Sequence, residues 1–327
     1  MTSQHGLTLR QGSAASRVLG FGSTQPDNVV TNDDLAEVMD TSDQWIQERV
    51  GIVERRFAAK DELLVDMAVR AGKNALADAG CAPTEIDTLI LPNCTMPTQI
   101  PNAAAQVADR IGIAAPGAFD INAACAGFCY GLGLASDLIR SGSTGNALVI
   151  GAEKLTDSID HTDRANAIIF ADGAGAAVVG PSDEAGVGPV AWGSAGDMVD
   201  TIYMRENRYI YQEGQTVFRW ATTKIAPVAK EAVAKAGLEL SDVDVLVPHQ
   251  ANLRIVESIA KKLRAEGARG DMVVADDIRY SGNTSSASIP LAIDHMRAQG
   301  SVRSGDVILM VGFGAGLSYA GQVMIAP

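Results

Sequence analysis

A chain of 327 residues that is 47% hydrophobic and 20% charged has ample material for the core of one large domain or two ordinary ones, which excludes a disordered or fibrous protein. Its formal net charge of −13 argues against nucleic acid as a partner, because phosphate binding needs a basic surface. No apolar run approaches the roughly 20 residues that span a bilayer; four cysteines and four scattered histidines suggest neither a disulfide framework nor a metal cluster, so a cytoplasmic protein with reduced thiols, no metal and no membrane association is expected.

Residues 1–17 mix polar and small types without the apolar stretch of a secretory signal and read as a flexible leader. Beyond them, runs such as VLGFG, TLILPN, ALVIG, AAVVG, VLVPH, VILMVG and AGQVMI alternate with Ala-rich amphipathic stretches. That alternation predicts an α/β fold with helices covering the faces of sheets. The pattern repeats. Residues 71–89 lie over residues 228–246, with Gly80 on Gly237 and Asp87 on Asp244; residues 125–151 lie over residues 286–312. Each match reads as helix, turn and apolar strand, and the similar offsets, 157 and 161, predict a duplicated unit with halves at residues 18–180 and 181–327. Matching helix starts and strand ends would then converge between the halves, where chemistry is expected.

Cys125, in DINAACAGFCYG, falls near a helix N-terminus, where unpaired N–H groups favour thiolate over thiol; small neighbours leave room for a bulky acyl group. The alternative is a buried core cysteine, which suits Cys81, Cys94 and Cys129 better. His249 ends an apolar strand and points into a crevice or caps the next helix, a task that Gln250 or Asn252 could also perform. Asn283, in SGNTSSAS, is either a site residue or an ordinary turn asparagine. Gly312, Gly314 and Gly316 lie between two strands. Only 11 residues follow Gly316, too few for a dinucleotide fold, so a glycine turn aiming N–H groups at a reacting oxygen competes with a plain hairpin.

The segment TNDDLAEVMDTSDQWIQERVGIVERRFA, the ACAGF motif at Cys125, HQAN at His249, GNTS at Asn283 and the terminal GFGAG together resemble β-ketoacyl-acyl carrier protein synthase III, from about residue 18 to the end. The resemblance implies a thiolase-like fold of two duplicated halves, each with a five-stranded mixed sheet between helices, assembled as a homodimer. It implies that Cys125 takes an acyl group from coenzyme A, which enters as a substrate, there being no resident cofactor. Malonyl-acyl carrier protein is then decarboxylated and condensed, with His249 and Asn283 donating to the enolate and the N–H groups of Cys125 and Ala315 holding the thioester oxyanion. No carboxylate base is implied. By the same resemblance Trp45, Arg49 and Arg164, with Phe313, contact coenzyme A, and Ile100 gates the acyl pocket of the partner chain. Gln212 replaces a frequent apolar residue. Arg254, Lys261 and Lys262 form a basic stripe for the acidic carrier protein. A starter-unit or O-acyl transferase of secondary metabolism would share these motifs, whereas a non-catalytic subunit would be expected to lack Cys125.

Overall fold

In the computed structural model, residues 11–206 and 208–327 are described. The first sheet contains β1 (Ala15–Thr24), β2 (Ile86–Pro92), β3 (Gly117–Ile121), β4 (Asn146–Lys154) and β5 (Asp172–Ser182). The second contains β6 (Ala191–Gly193), β7 (Val245–Pro248), β8 (Val273–Val274), β9 (Val307–Phe313) and β10 (Tyr319–Ile325). The spatial orders are β1-β5-β4-β2-β3 and β6-β10-β9-β7-β8, so each strand has a counterpart in the same place. The directions match as well. In both sheets the third, fourth and fifth strands in these orders are parallel, while the first two run antiparallel to their neighbours.

Helices cover both sheets because their apolar stripes match the faces they meet. Helix α1 (Asp43–Val50) carries Trp45 and Arg49, and helix α2 (Leu64–Ala79) packs Leu64, Val65, Ala68, Ala75 and Leu76 against Leu148, Ile150 and Val178 beside α3 (Ala103–Ile111). Each large aliphatic side chain so buried contributes about 1.5–3 kcal/mol. A left-handed Gly80 (φ 61°) ends α2, as the sequence pattern requires. Helices α5 (Gly214–Lys235) and α6 (Leu253–Ala265) cover the outer face of the second sheet. Between the sheets lie α4 (Gly127–Arg140) and α7 (Ser288–Ala298), whose Phe128, Leu132, Ile289 and Ile293 share a core with both sheets. The layers therefore run helix, sheet, helix, sheet, helix.

Residues 1–10 of the expected leader lie outside the described residues. Its remaining boundary needs correction: Ala15, Ser16 and Arg17 pair with Ser182, Pro181 and Gly180, since this edge of the first sheet offers them a ladder. The first half thus ends with β5 at Ser182, beyond the expected break at 180, and the second sheet resumes at Ala191. Among the described residues, no helix is long and apolar enough to cross a membrane.

Candidate active site

From β3 the chain passes through Asn122 into a single 3-10 turn, Ala124–Ala126, and then into α4 (Gly127–Arg140). Asn122 Oδ1 accepts the Ala124 N–H at 3.2 Å, and Ala124 has φ 46°, a strained conformation for a residue with a side chain. This turn carries Cys125 into a cavity of about 870 Å³ that His249 and Asn283 also line. One expectation is reversed here. Burial, with the Glu153 carboxylate adding to it and the Ser285 hydroxyl opposing, pushes the Cys125 thiol up to about 12. The start of α4 does not deliver a standing thiolate, because the pocket that shields the acyl group also desolvates the sulfur.

His249 extends β7, its N–H donating to Val311 O at 2.8 Å, and is 2% exposed. Asn252, not His249, caps α6, its Oδ1 accepting the Arg254 N–H at 2.9 Å. Ser288 Oγ accepts the Gln250 N–H at 3.4 Å and lies 2.7 Å from His249 Nδ1. Giving the hydroxyl proton to Nδ1 satisfies both groups and leaves His249 with Nε2–H as its donor. Burial pushes the imidazole down to about 3, so it is neutral at working pH. The His249 and Phe313 rings pack edge to face, with centres 5.3 Å apart and planes at 76°, which fixes the imidazole plane.

Asn283 is strapped to the first half of the chain: its N–H donates to Ile169 O and its carbonyl accepts from Ala171, both at 2.9 Å. Its Oδ1 accepts the Ser285 N–H at 2.9 Å, which leaves the side-chain NH₂ as a donor beside the cavity. The glycine turn between β9 and β10 closes over the nucleophile. A Cβ on Gly314 would stand 2.7 Å from Cys125 N and 3.1 Å from its Sγ, so only glycine fits that approach. Among the described residues, neither the Cys125 nor the Ala315 N–H donates to a backbone carbonyl.

The mouth of the cavity brings together Trp45, Arg49, Arg164, Gln212 and Arg254. The guanidinium groups of Arg49 and Arg164 lie 4.8 Å and 4.7 Å from the centre of the Trp45 ring. Arg254 stacks on Phe218 at 5.3 Å. Phe313, expected with the coenzyme A contacts, lines the same cavity beside His249 and is 2% exposed. Lys262 is no part of an open stripe, because its ammonium donates to the Thr222 carbonyl of α5; Lys261 is exposed but does not line the cavity. Ile100 also lies outside its own chain's cavity, on a loop where it is 89% exposed.

Sequence reasoning missed a polar cluster beneath Cys125. Glu153, wholly buried at the C-terminal end of β4, gathers Cys94, Thr95, Ser285 and Ser286. The signal was the one that marked His249, a polar residue ending an apolar strand, here in LVIGAEK.

Family models described as 3-oxoacyl-[acyl-carrier-protein] synthase III match residues 119–196, and as its C-terminal part residues 233–325. The chain is 46% identical to β-ketoacyl-[acyl-carrier-protein] synthase III 4 of Streptomyces coelicolor, over 95% of this chain and 99% of the relative. This chain belongs to the β-ketoacyl-[acyl-carrier-protein] synthase III family. A mycobacterial synthase III of Mycobacterium avium is 44% identical over 95% of both chains. The priming β-ketosynthase of the R1128 polyketide pathway superposes with a TM-score of 0.94 at 40% identity, covering 99% of each chain. The synthase III of Aquifex aeolicus gives 0.90 at 38% identity, over 95% of this chain and 99% of that one. As a synthase III the chain is a condensing acyltransferase with the thiolase fold, and its duplicated sheets are those of that fold.

Proposed function

We propose that the chain joins an acyl-coenzyme A primer to malonyl-acyl carrier protein by decarboxylative Claisen condensation, giving a 3-oxoacyl-acyl carrier protein that initiates fatty acid or polyketide synthesis. The observation that carries this reading is the convergence of Cys125, His249 and Asn283 on one cavity, each of the last two with a hydrogen-bond donor uncommitted. Cys125 Sγ attacks the thioester carbonyl, and the N–H groups of Cys125 and Ala315 receive the oxyanion. Coenzyme A leaves. The malonyl group then loses carbon dioxide, and Nε2–H of His249 with the amide of Asn283 stabilises the enolate oxygen. The enolate carbon attacks the acyl thioester and expels the Cys125 thiolate.

Coenzyme A is read as a substrate, clasped at the mouth by Trp45, Arg49 and Arg164, and no resident cofactor is required. Arg254 is the cation at the mouth best placed to meet an acidic carrier protein. We read the working form as a cytoplasmic homodimer in which Ile100 gates the partner's pocket.

The reading is tested by intact mass after incubation with acetyl, isobutyryl and hexanoyl thioesters of coenzyme A, followed by carbon dioxide release from malonyl-acyl carrier protein. Wild type should gain one acyl mass and then release carbon dioxide; Cys125→Ser should gain none. An adduct on Cys125→Ser at the wild-type rate, or acylation of wild type without decarboxylation, overturns the assignment.

A further inference from the structure

In the segment TNDDLAEVMDTSDQWIQERVGIVERRFA, Trp45 and Arg49 line the cavity, whereas Asn32 and Arg55 are 1% and 0% exposed and line no part of it. Arg55 sits on the short strand Glu54–Arg56, which pairs with Val29–Thr31. Its guanidinium is held by neutral groups. Nη1 donates to Val30 O at 3.2 Å; Nη2 donates to Asn32 Oδ1 at 2.7 Å and to Ile168 O at 3.1 Å. Among the described residues no carboxylate pairs with it, and Glu54, Asp34 and Asp43 act on it only from a distance. Burial pushes the guanidinium down to about 10, which leaves it charged at working pH. A buried charge without a counter-ion is destabilising, so packing alone does not account for Arg55.

The bonds around Arg55 lead to the active site. Asn32, which accepts from Arg55, donates through Nδ2 to Asp43 Oδ1 and to Ile52 O, both at 2.8 Å. Asp43 opens α1 and Ile52 lies just past its end, so Asn32 holds both ends of the helix that carries Trp45 and Arg49. Ile168 ends the helical turn Arg164–Ala167, whose first residue stacks on Trp45 from the other side of the mouth. The next residue, Ile169, accepts the Asn283 N–H, and Ala171 donates back to Asn283 O, both at 2.9 Å. Arg55 also lies against this strap: a Cβ on Gly282 would stand 2.9 Å from the Arg55 Cβ.

One planar group therefore ties both sides of the Trp45 clasp to the strap that holds the donor amide. The fork of the guanidinium is rigid, so acceptors bound to it keep a fixed separation.

We propose that Arg55 is a positioning residue that keeps the coenzyme A clasp and the Asn283 amide in one register, with Asn32 as its arm to α1. The inference rests on the condensation reading, in which the clasp delivers the thioester and Asn283 stabilises the enolate. Arg55 touches neither ligand. It acts on binding through Asn32 and Asp43, and on decarboxylation through Ile168, Ile169 and Asn283, so the two arms can be cut separately.

Asn32→Asp keeps an acceptor for Arg55 but removes the donor to Asp43 and Ile52. It should raise the KM for acyl-coenzyme A in acylation of Cys125, read by intact mass, roughly tenfold. Carbon dioxide release by pre-acylated protein at saturating malonyl-acyl carrier protein should stay near the wild-type rate. Arg55→Lys keeps the charge but loses the fork; it should raise the same KM and also slow that release roughly tenfold, and Arg55→Met should slow it about 10²-fold. In an Asn283→Ala background Arg55→Lys should slow release no further, because both act on one donor. A role in stability alone would lower the denaturation midpoint without this split and without this non-additivity. Wild-type KM and release in Arg55→Lys, equal effects of Asn32→Asp on both steps, or additivity with Asn283→Ala each overturn the proposal. Should Arg55→Met not fold, Arg55→Lys and Asn32→Asp decide it. Wild type that neither acylates nor releases carbon dioxide would overturn the condensation reading and this inference with it, a failure told apart because no variant is involved.

Discussion

His249 and Asn283 are prepared as donors in different ways, one by desolvation and one by a committed oxygen. Removing either to Ala should slow decarboxylation by roughly 10²–10³-fold while leaving acylation of Cys125 near the wild-type rate. Equal loss in both half-reactions, measured separately by carbon dioxide release and intact mass, would refute this division of labour. The same desolvation sets a pH dependence. The folded imidazole is held at about 3 against an ordinary 6.5, so the unfolded chain takes up a proton first and the folded state loses stability as pH falls through that window. Denaturation of His249→Gln should therefore show a shallower acid decline than wild type. Periodicity placed Cys125 near a helix start and His249 at a strand end, but left Asn283 an ordinary turn asparagine; the three were legible together only through the ACAGF, HQAN and GNTS motifs. The raised Cys125 thiol was not, since desolvation belongs to the assembled cavity and no neighbour in sequence reports it.

At the scale of elements, the two halves supply the same turn twice. Asn122 accepts from Ala124, and Asn283 from Ser285; both acceptor turns continue into a residue of positive φ, Ala124 at 46° and Ser285 at 50°. One copy presents the thiol and the other the donor amide. The duplication was legible because helix, turn and apolar strand leave a long pattern, whereas the two-residue β8 was not, being too short to show any period. Lys262 was misread for a related reason: spacing along α6 places its Cα, but the packing of α5 decides where the ammonium goes. The glycine turn after β9 binds the copies together, and Gly314→Ala tests that contact. A methyl group 2.7 Å from Cys125 N must displace the nucleophile or the turn, and a shift near 1 Å costs about 10²-fold in rate. Acylation should fall by that order while denaturant unfolding remains cooperative. A near-native acylation rate would show that the turn yields without moving Cys125.

For the whole molecule, the position of Ile100 separates one chain from the working assembly. Its side chain is 89% exposed and does not line the cavity of its own chain that holds Cys125, which is the placement the proposed gate on a second copy requires. Phe in its place adds volume worth about one or two methylenes, each contributing about 0.8 kcal/mol on burial, or roughly fourfold in selectivity. If the gate acts between chains, Ile100→Phe should reduce acylation by hexanoyl relative to acetyl thioester by about that factor per methylene. A mixed dimer identifies the chain responsible. When wild type is paired with a chain carrying both Cys125→Ala and Ile100→Phe, the sole nucleophile keeps its own Ile100 but faces the partner's Phe, so long primers should be rejected. When Ile100→Phe is paired with Cys125→Ala, the nucleophile faces Ile and long primers should be accepted. Selectivity that follows the residue on the nucleophile's own chain would place the gate in cis and refute an exchanged loop.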